Sequence, residues 1–129
     1  MAKMTQLTVS CQNHPGALAE IAGILCKANV NILAFNAGSA SSMGYVQFIV
    51  DHPSRAKRKL EQKGFSCYEE RVVYLTVPNV PGALFRLASK LAAKGINVGA
   101  GYQTTVKGRS GKASVVLAVS DLAVADRVR

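Results

Sequence analysis

The chain has 129 residues, 49% hydrophobic and 18% charged, and its 16 lysines and arginines against 7 acids give a formal charge of +9. That hydrophobic content excludes a disordered chain, and the length suits one domain or two very small ones. The charge makes a polyanion or an acidic small molecule a reasonable partner and says nothing about fold.

Cys11, Cys26 and Cys67 are odd in number and form no C-x-x-C. Neither a disulfide framework nor a zinc site follows, so reduced, buried thiols are expected. No leader-like segment opens the chain and no apolar run is long enough to span a bilayer. A soluble, cytoplasmic protein is expected.

In chain order, Met4 to Cys11 places Leu7, Val9 and Cys11 on one face of a half-buried strand. The turn Asn13-His14-Pro15-Gly16 follows. Ala17, Leu18, Ile21, Ile24, Leu25 and Ala28 then form one apolar helical face, stopping near Asn29. Val30 to Phe35 is extended, Gly38 to Ser42 reads as a hairpin loop, and Gly44 to Val50 as a β-prone strand. A second helix starts near Pro53, with a thin apolar face of Ala56 and Leu60, and ends at Gly64. Phe65 to Val77 is extended without a breaker, so it closes one unit and opens the next with no linker.

The chain then starts over. Asn13-His14-Pro15-Gly16-Ala17-Leu18 returns sixty-six residues later as Asn79-Val80-Pro81-Gly82-Ala83-Leu84, and Asn31-Ile32 as Asn97-Val98. The second helix of this kind runs from about Pro81 to Lys94, with Lys90 where the first has Ile24. Two strands follow, Gly99 to Thr105 and Lys112 to Ser120, around a glycine-rich basic hairpin at Val106-Lys107-Gly108-Arg109-Ser110-Gly111. Asp121 aligns with Asp51. The second unit has only the beginning of its last helix and no closing strand, which leaves a sheet edge for another chain to cover.

The repeated turn carries the chemistry. Proline suits a first helical turn, asparagine just before it can cap free N–H groups, and glycine lets a ligand approach. The plain reading is a well-made helix start. The functional reading is a carboxylate resting on the N–H groups of Gly16, Ala17 and Leu18 and their counterparts.

The strand and helix order, the N-x-P-G-A-L turn and the entry into the second strand together resemble the ACT domain family, in the form of small stand-alone proteins of two tandem ACT domains. The resemblance implies an α+β fold of two ferredoxin-like βαββαβ units, residues 1–70 and 71–129, each an antiparallel sheet with helices on one face. It implies a regulatory protein that binds an amino acid or related small carboxylate where units pair. The site residues carried over are Asn13, His14, Pro15, Gly16, Ala17 and Leu18 with Asn31 and Ile32, and Asn79, Val80, Pro81, Gly82, Ala83 and Leu84 with Asn97 and Val98. The first copy ranks above the second because His14 adds a polar group where Val80 stands. A homodimer or larger assembly and a regulated enzyme are the expected partners, with no cofactor, metal or membrane.

Other classes remain beside this one. His14 and His52 are the only histidines, each beside a proline, and no nucleophile–base pair or metal-ligand spacing occurs, so no catalytic residue is expected. An RNA-binding reading would use Tyr45 and Phe48 as stacking rings and the +9 charge for the backbone. The basic-glycine half of that signature is missing at Ser41-Ser42-Met43, so nucleic acid is not the expected partner. Arg55, Lys57, Arg58 and Lys59 read as a solvated helix face or a docking patch for an acidic partner. A regulatory subunit of an amino-acid-biosynthetic enzyme is a third reading.

Overall fold

The computed structural model describes residues 2–105 and 111–128. The basic hairpin expected at Val106 to Gly111 lies outside them, apart from Gly111. The fold is mixed α+β with antiparallel strands, and it resolves into two compact units, Thr5–Glu70 and Arg71–Arg129 with Met1–Met4.

The first unit is built from β1 (Ala2–Gln12) from Thr5 onward, α1 (Ala17–Lys27), β2 (Ile32–Ala40), β3 (Met43–Val50), α2 (Pro53–Gln62) and the first part of β4 (Ser66–Pro78). Its strands lie in the order β2-β3-β1-β4, the ferredoxin-like arrangement. Leu7 stands opposite Phe48 and Val9 opposite Val46, so the period-two pattern of both strands falls on one face. Ile21 and Leu25 of α1 and Ala56 and Leu60 of α2 close over that face, all four fully buried. Each large apolar side chain so buried contributes about 2 kcal/mol. The thin apolar face of α2 is enough because it points wholly inward.

The second unit uses the later part of β4, then α3 (Ala83–Ala93), β5 (Val98–Thr105), β6 (Lys112–Val119) and α4 (Leu122–Ala125). Val73, Leu87, Leu91, Ile96, Val115, Leu117, Ala125 and Val128 form its core. Asp121 caps α4, its Oδ1 accepting the Val124 N–H at 3.0 Å.

Four expectations are corrected here. The sheet edge of the second unit does not wait for another chain: Met1–Met4 belongs to this unit, β1 is the neighbour of β4 opposite β6, and Lys3 Nζ lies 3.7 Å from Asp126. Leu18 is 42% exposed, because the buried stripe of α1 narrows to Ile21 and Leu25 at its centre. Cys26 is exposed and Cys11 and Cys67 are half-buried, so the thiols are free without being core residues. The helices start at Ala17 and Ala83, two residues beyond Pro15 and Pro81.

Candidate functional site

Pro15 and Gly16 are the two central residues of a type II turn. The Ala17 N–H donates to the His14 carbonyl at 3.2 Å, and Gly16 holds φ 89°, ψ −6°. That left-handed conformation at the third turn position calls for glycine, and proline presets the second. The other copy is the same turn: the Ala83 N–H donates to the Val80 carbonyl at 3.3 Å, with Gly82 at φ 88°, ψ −7°. Glycine is therefore required by the backbone angle. A Cβ at Gly16 would meet nothing within 4 Å, so closeness of approach is not the reason there.

Each turn is tied to the hairpin beside it. The Asn13 N–H donates to the Ser42 carbonyl at 2.8 Å and the Asn79 N–H to the Gly111 carbonyl at 2.7 Å. The Asn13 amide reaches the Ser41 carbonyl at 3.4 Å, and no side chain caps either helix. Asparagine is thus a strut between turn and hairpin, where sequence pattern had suggested a cap.

The donor set differs from the expected one. Ala17 and Ala83 spend their N–H groups closing the turns, and Glu20 and Arg86 donate theirs to the Gly16 and Gly82 carbonyls at 2.9 Å. The open donors at each helix start are the next two, Leu18 and Ala19 in α1 and Leu84 and Phe85 in α3. Around them the surface is apolar: Leu18, Val80 and Leu84 are exposed, and Phe85 is 74% exposed.

His14 turns its ring onto its own turn, with Nδ1–H donating to the Pro15 carbonyl at 2.9 Å. This leaves Nε2 facing solvent as the polar tip. The charge near the two turns is opposite in sign. Glu20 stands in the first turn of α1. Its counterpart in α3 is Arg86, whose guanidinium nitrogen lies 2.8 Å from where a Gly82 Cβ would be. A cation folded back over the turn assists an anion on the α3 start, and the acid on α1 opposes one. Arg86 was missed in the sequence, although the signal was present as a charge reversal at an aligned position.

Asn31, Ile32, Asn97 and Val98 are not brought to the turns of their own units. They sit at the other end of an 11-residue helix, about 16 Å away along its axis. Asn31 and Asp51 exchange two bonds: the Asn31 N–H donates to the Asp51 carboxylate at 2.9 Å and the Asp51 N–H to the Asn31 carbonyl at 3.1 Å. Asn97 does the same with Ser120, through Oγ at 2.9 Å and the Ser120 N–H at 2.9 Å. Ser120, not Asp121, is therefore the structural counterpart of Asp51. All four asparagines of the expected sites, Asn13, Asn31, Asn79 and Asn97, are exposed.

Among the described residues no group of His, Cys, Asp and Glu is placed to hold a metal, and no helix is long and apolar enough to cross a membrane. Tyr45 and Phe48 point to opposite faces of β3. Phe48 is buried in the core, and Tyr45 lies over Gly38, where its hydroxyl would sit 2.6 Å from a Cβ. The two rings form no stacking platform.

The ACT domain family model matches residues 5–62. No curated protein matches the chain. Among solved structures, a protein from Bacteroides thetaiotaomicron is similar at 28% identity over 96% of this chain and 84% of its own, with a TM-score of 0.89. The regulatory subunit of aspartate kinase from Thermus thermophilus, in its ligand-free form, is similar at 16% identity over 91% and 87%, with a TM-score of 0.70. The corresponding subunit from Thermus flavus is similar at 13% identity over 90% and 85%, with a TM-score of 0.61. The last two likenesses are likenesses of fold.

Proposed function

We propose that the chain is a tandem ACT-type regulatory protein, not an enzyme, that senses an amino acid or related small carboxylate and passes the signal to a partner. The observation that carries this is the pair of identical type II turns, each leaving two uncapped helix N–H groups beneath exposed apolar side chains. The α-carboxylate rests on those donors, and the apolar side chains around them meet the side chain of the ligand. The start of the second strand of a paired unit, Asn31-Ile32 or Asn97-Val98, supplies the far wall.

The second copy is the stronger anion site, because Arg86 adds a cation where the first copy has Glu20. This reverses the ranking drawn from His14. The match of residues 5–62 to the ACT domain supports the reading, and the fold shared with regulatory subunits of aspartate kinase favours a separate enzyme as the partner.

A thermal-shift screen of the full chain against the twenty amino acids tests it. A ligand at a hundred times its dissociation constant adds about 2.7 kcal/mol, several degrees in a chain of this size. One or a few related amino acids are expected to stabilise the protein. Asn79→Asp, which places a like charge beside the carboxylate, and Arg86→Gln are expected to shrink the shift to what the first copy contributes, while the unliganded melting point holds. No stabilisation by any amino acid would overturn the reading.

A further inference from the structure

Gly23 stands in the middle of α1, and nothing within the chain calls for it. A glycine inside a helix weakens that helix against alanine. Its two ordinary reasons are missing here. The φ angle is not in the left-handed region, and a Cβ would meet nothing within 4 Å. The aligned residue of α3 is Ser89, so the repeat does not require glycine either. What the missing side chain leaves is room. It opens onto a groove between α1 and α2 that measures 670 Å³, with Ala19, Gly23, Ile24 and Ala28 as its apolar floor.

Charge narrows the occupant. Lys27 stands on the α1 side of the groove and Lys59 and Lys63 on the α2 side, against the single acid Glu20. None of the three lysines makes an ion pair among the described residues. The other cations of α2 are turned elsewhere. Arg55 donates to the Ala28 and Asn29 carbonyls at 3.2 and 3.3 Å, and Lys57 and Arg58 line the opposite flank with Glu61 and Glu69. The groove thus combines an apolar floor, one point of close backbone access and an unbalanced positive rim.

We propose that this groove docks an amphipathic helix from a partner protein, with small residues where it crosses Gly23 and acids along both flanks. The small residues let the two backbones approach, and the acids reach Lys27 on one side and Lys59 and Lys63 on the other, in the helix-in-groove manner. A second copy of this chain is a poor occupant, because α1 and α2 carry one acid each, Glu20 and Glu61, and α3 carries none. The phosphate backbone of a nucleic acid would use the lysines and gain nothing from the apolar floor. Gly23 and the three lysines are no part of the turn site, so this proposal and the amino-acid reading fail separately.

The test titrates two fluorescent peptides of about eighteen residues into the full chain and reads their anisotropy. Both contain the same glutamates, alanines and leucines. One is patterned as an amphipathic helix and the other is scrambled so that no face forms. The patterned peptide is expected to bind about tenfold more tightly, with an affinity that falls as salt rises. Gly23→Leu fills the groove and improves the helix. It is expected to raise the melting temperature while weakening the patterned peptide about tenfold, so lost binding is not lost folding. Lys27→Glu and Lys63→Glu are each expected to weaken that peptide severalfold. Lys94→Glu makes the same change of net charge on α3 and is expected to leave the affinity unchanged. Equal affinity for the two peptides, equal effects of Lys63→Glu and Lys94→Glu, or undiminished binding by Gly23→Leu would overturn the proposal. So would tighter binding of a short single-stranded RNA with the same dependence on Lys27 and Lys63, or a self-association in sedimentation that Gly23→Leu abolishes.

Discussion

Gly16 and Gly82 adopt the same left-handed backbone, φ 89° and φ 88°, at the same position of the same turn in two units. An L side chain in that conformation costs about 1–2 kcal/mol. Gly16→Ala and Gly82→Ala are each expected to lower stability by that amount in urea denaturation. The Arg86 guanidinium near Gly82 swings aside at little cost, so the two losses should be similar. A neutral outcome at either position would mean that the turn takes another form in solution.

The exchange of bonds between Asn31 and Asp51 closes the end of the first unit away from its turn, and Asn97 with Ser120 closes the second. Asp51→Ala removes a charged acceptor from an exposed N–H, and Ser120→Ala a neutral one. Losses of about 1 kcal/mol at Asp51 and somewhat less at Ser120 are expected. Hydrogen exchange at the Asn31 and Asn97 amides reads this directly. Both should quicken, and an unchanged rate would rule the bond out as the source of protection.

Leu60 is fully buried and Leu18 is 42% exposed, although helical periodicity gives both the same inward face. Leu60→Ala is expected to cost about 2–5 kcal/mol and Leu18→Ala less than about 1 kcal/mol. Leu18→Ala should instead weaken the amino-acid response of the first copy, which the thermal-shift screen resolves.

Two raised pKa values make the protein alkali-sensitive. Burial, with Glu61 next and Glu69 adding, outweighs Lys57 and pushes the Cys67 thiol from 9.0 to about 11. Burial, then Tyr74, pushes the Tyr102 phenol from 10.0 to about 12. Each group holds its proton more tightly when folded, so its contribution is whole below the ordinary value and is lost as pH rises through the raised one. Stability is expected to fall progressively above pH 9, less steeply in Cys67→Ala. For the same reason Cys67 should react with a thiol reagent at pH 8 far more slowly than the exposed Cys26, as mass spectrometry of the labelled chain would show.

The elements of the first unit were legible because strand and helix periods there agree with burial. Leu7 and Val9 alternate inward, and Ala56 and Leu60 fall four apart on the inner face of α2. The repeated turn was legible as a turn because proline and glycine each have a conformational reason to be there. Its hydrogen bonding was not. Whether Asn13 caps α1 or braces the Ser41-Ser42 hairpin depends on which partner comes near, and that is decided by β3, thirty residues downstream. Leu18 misled because periodicity states the direction of a side chain and not whether anything covers it. The role of Arg86 was written only as a difference between copies, visible once Gly82 places it over the turn.

The ion pair of Lys3 with Asp126 joins residues near opposite ends of the sequence inside one compact unit. During synthesis Lys3 must therefore wait for Asp126, 123 positions later, before that unit can close. The first unit needs no such wait, since Thr5–Glu70 is contiguous. Folding is thus expected in two stages, an early local one and a late one that recruits a strand start already made, and long-range closures of this kind are slow. A bulky group fused ahead of β1 would burden the late stage alone, leaving a chain whose first half is native and whose second half is exposed to proteases.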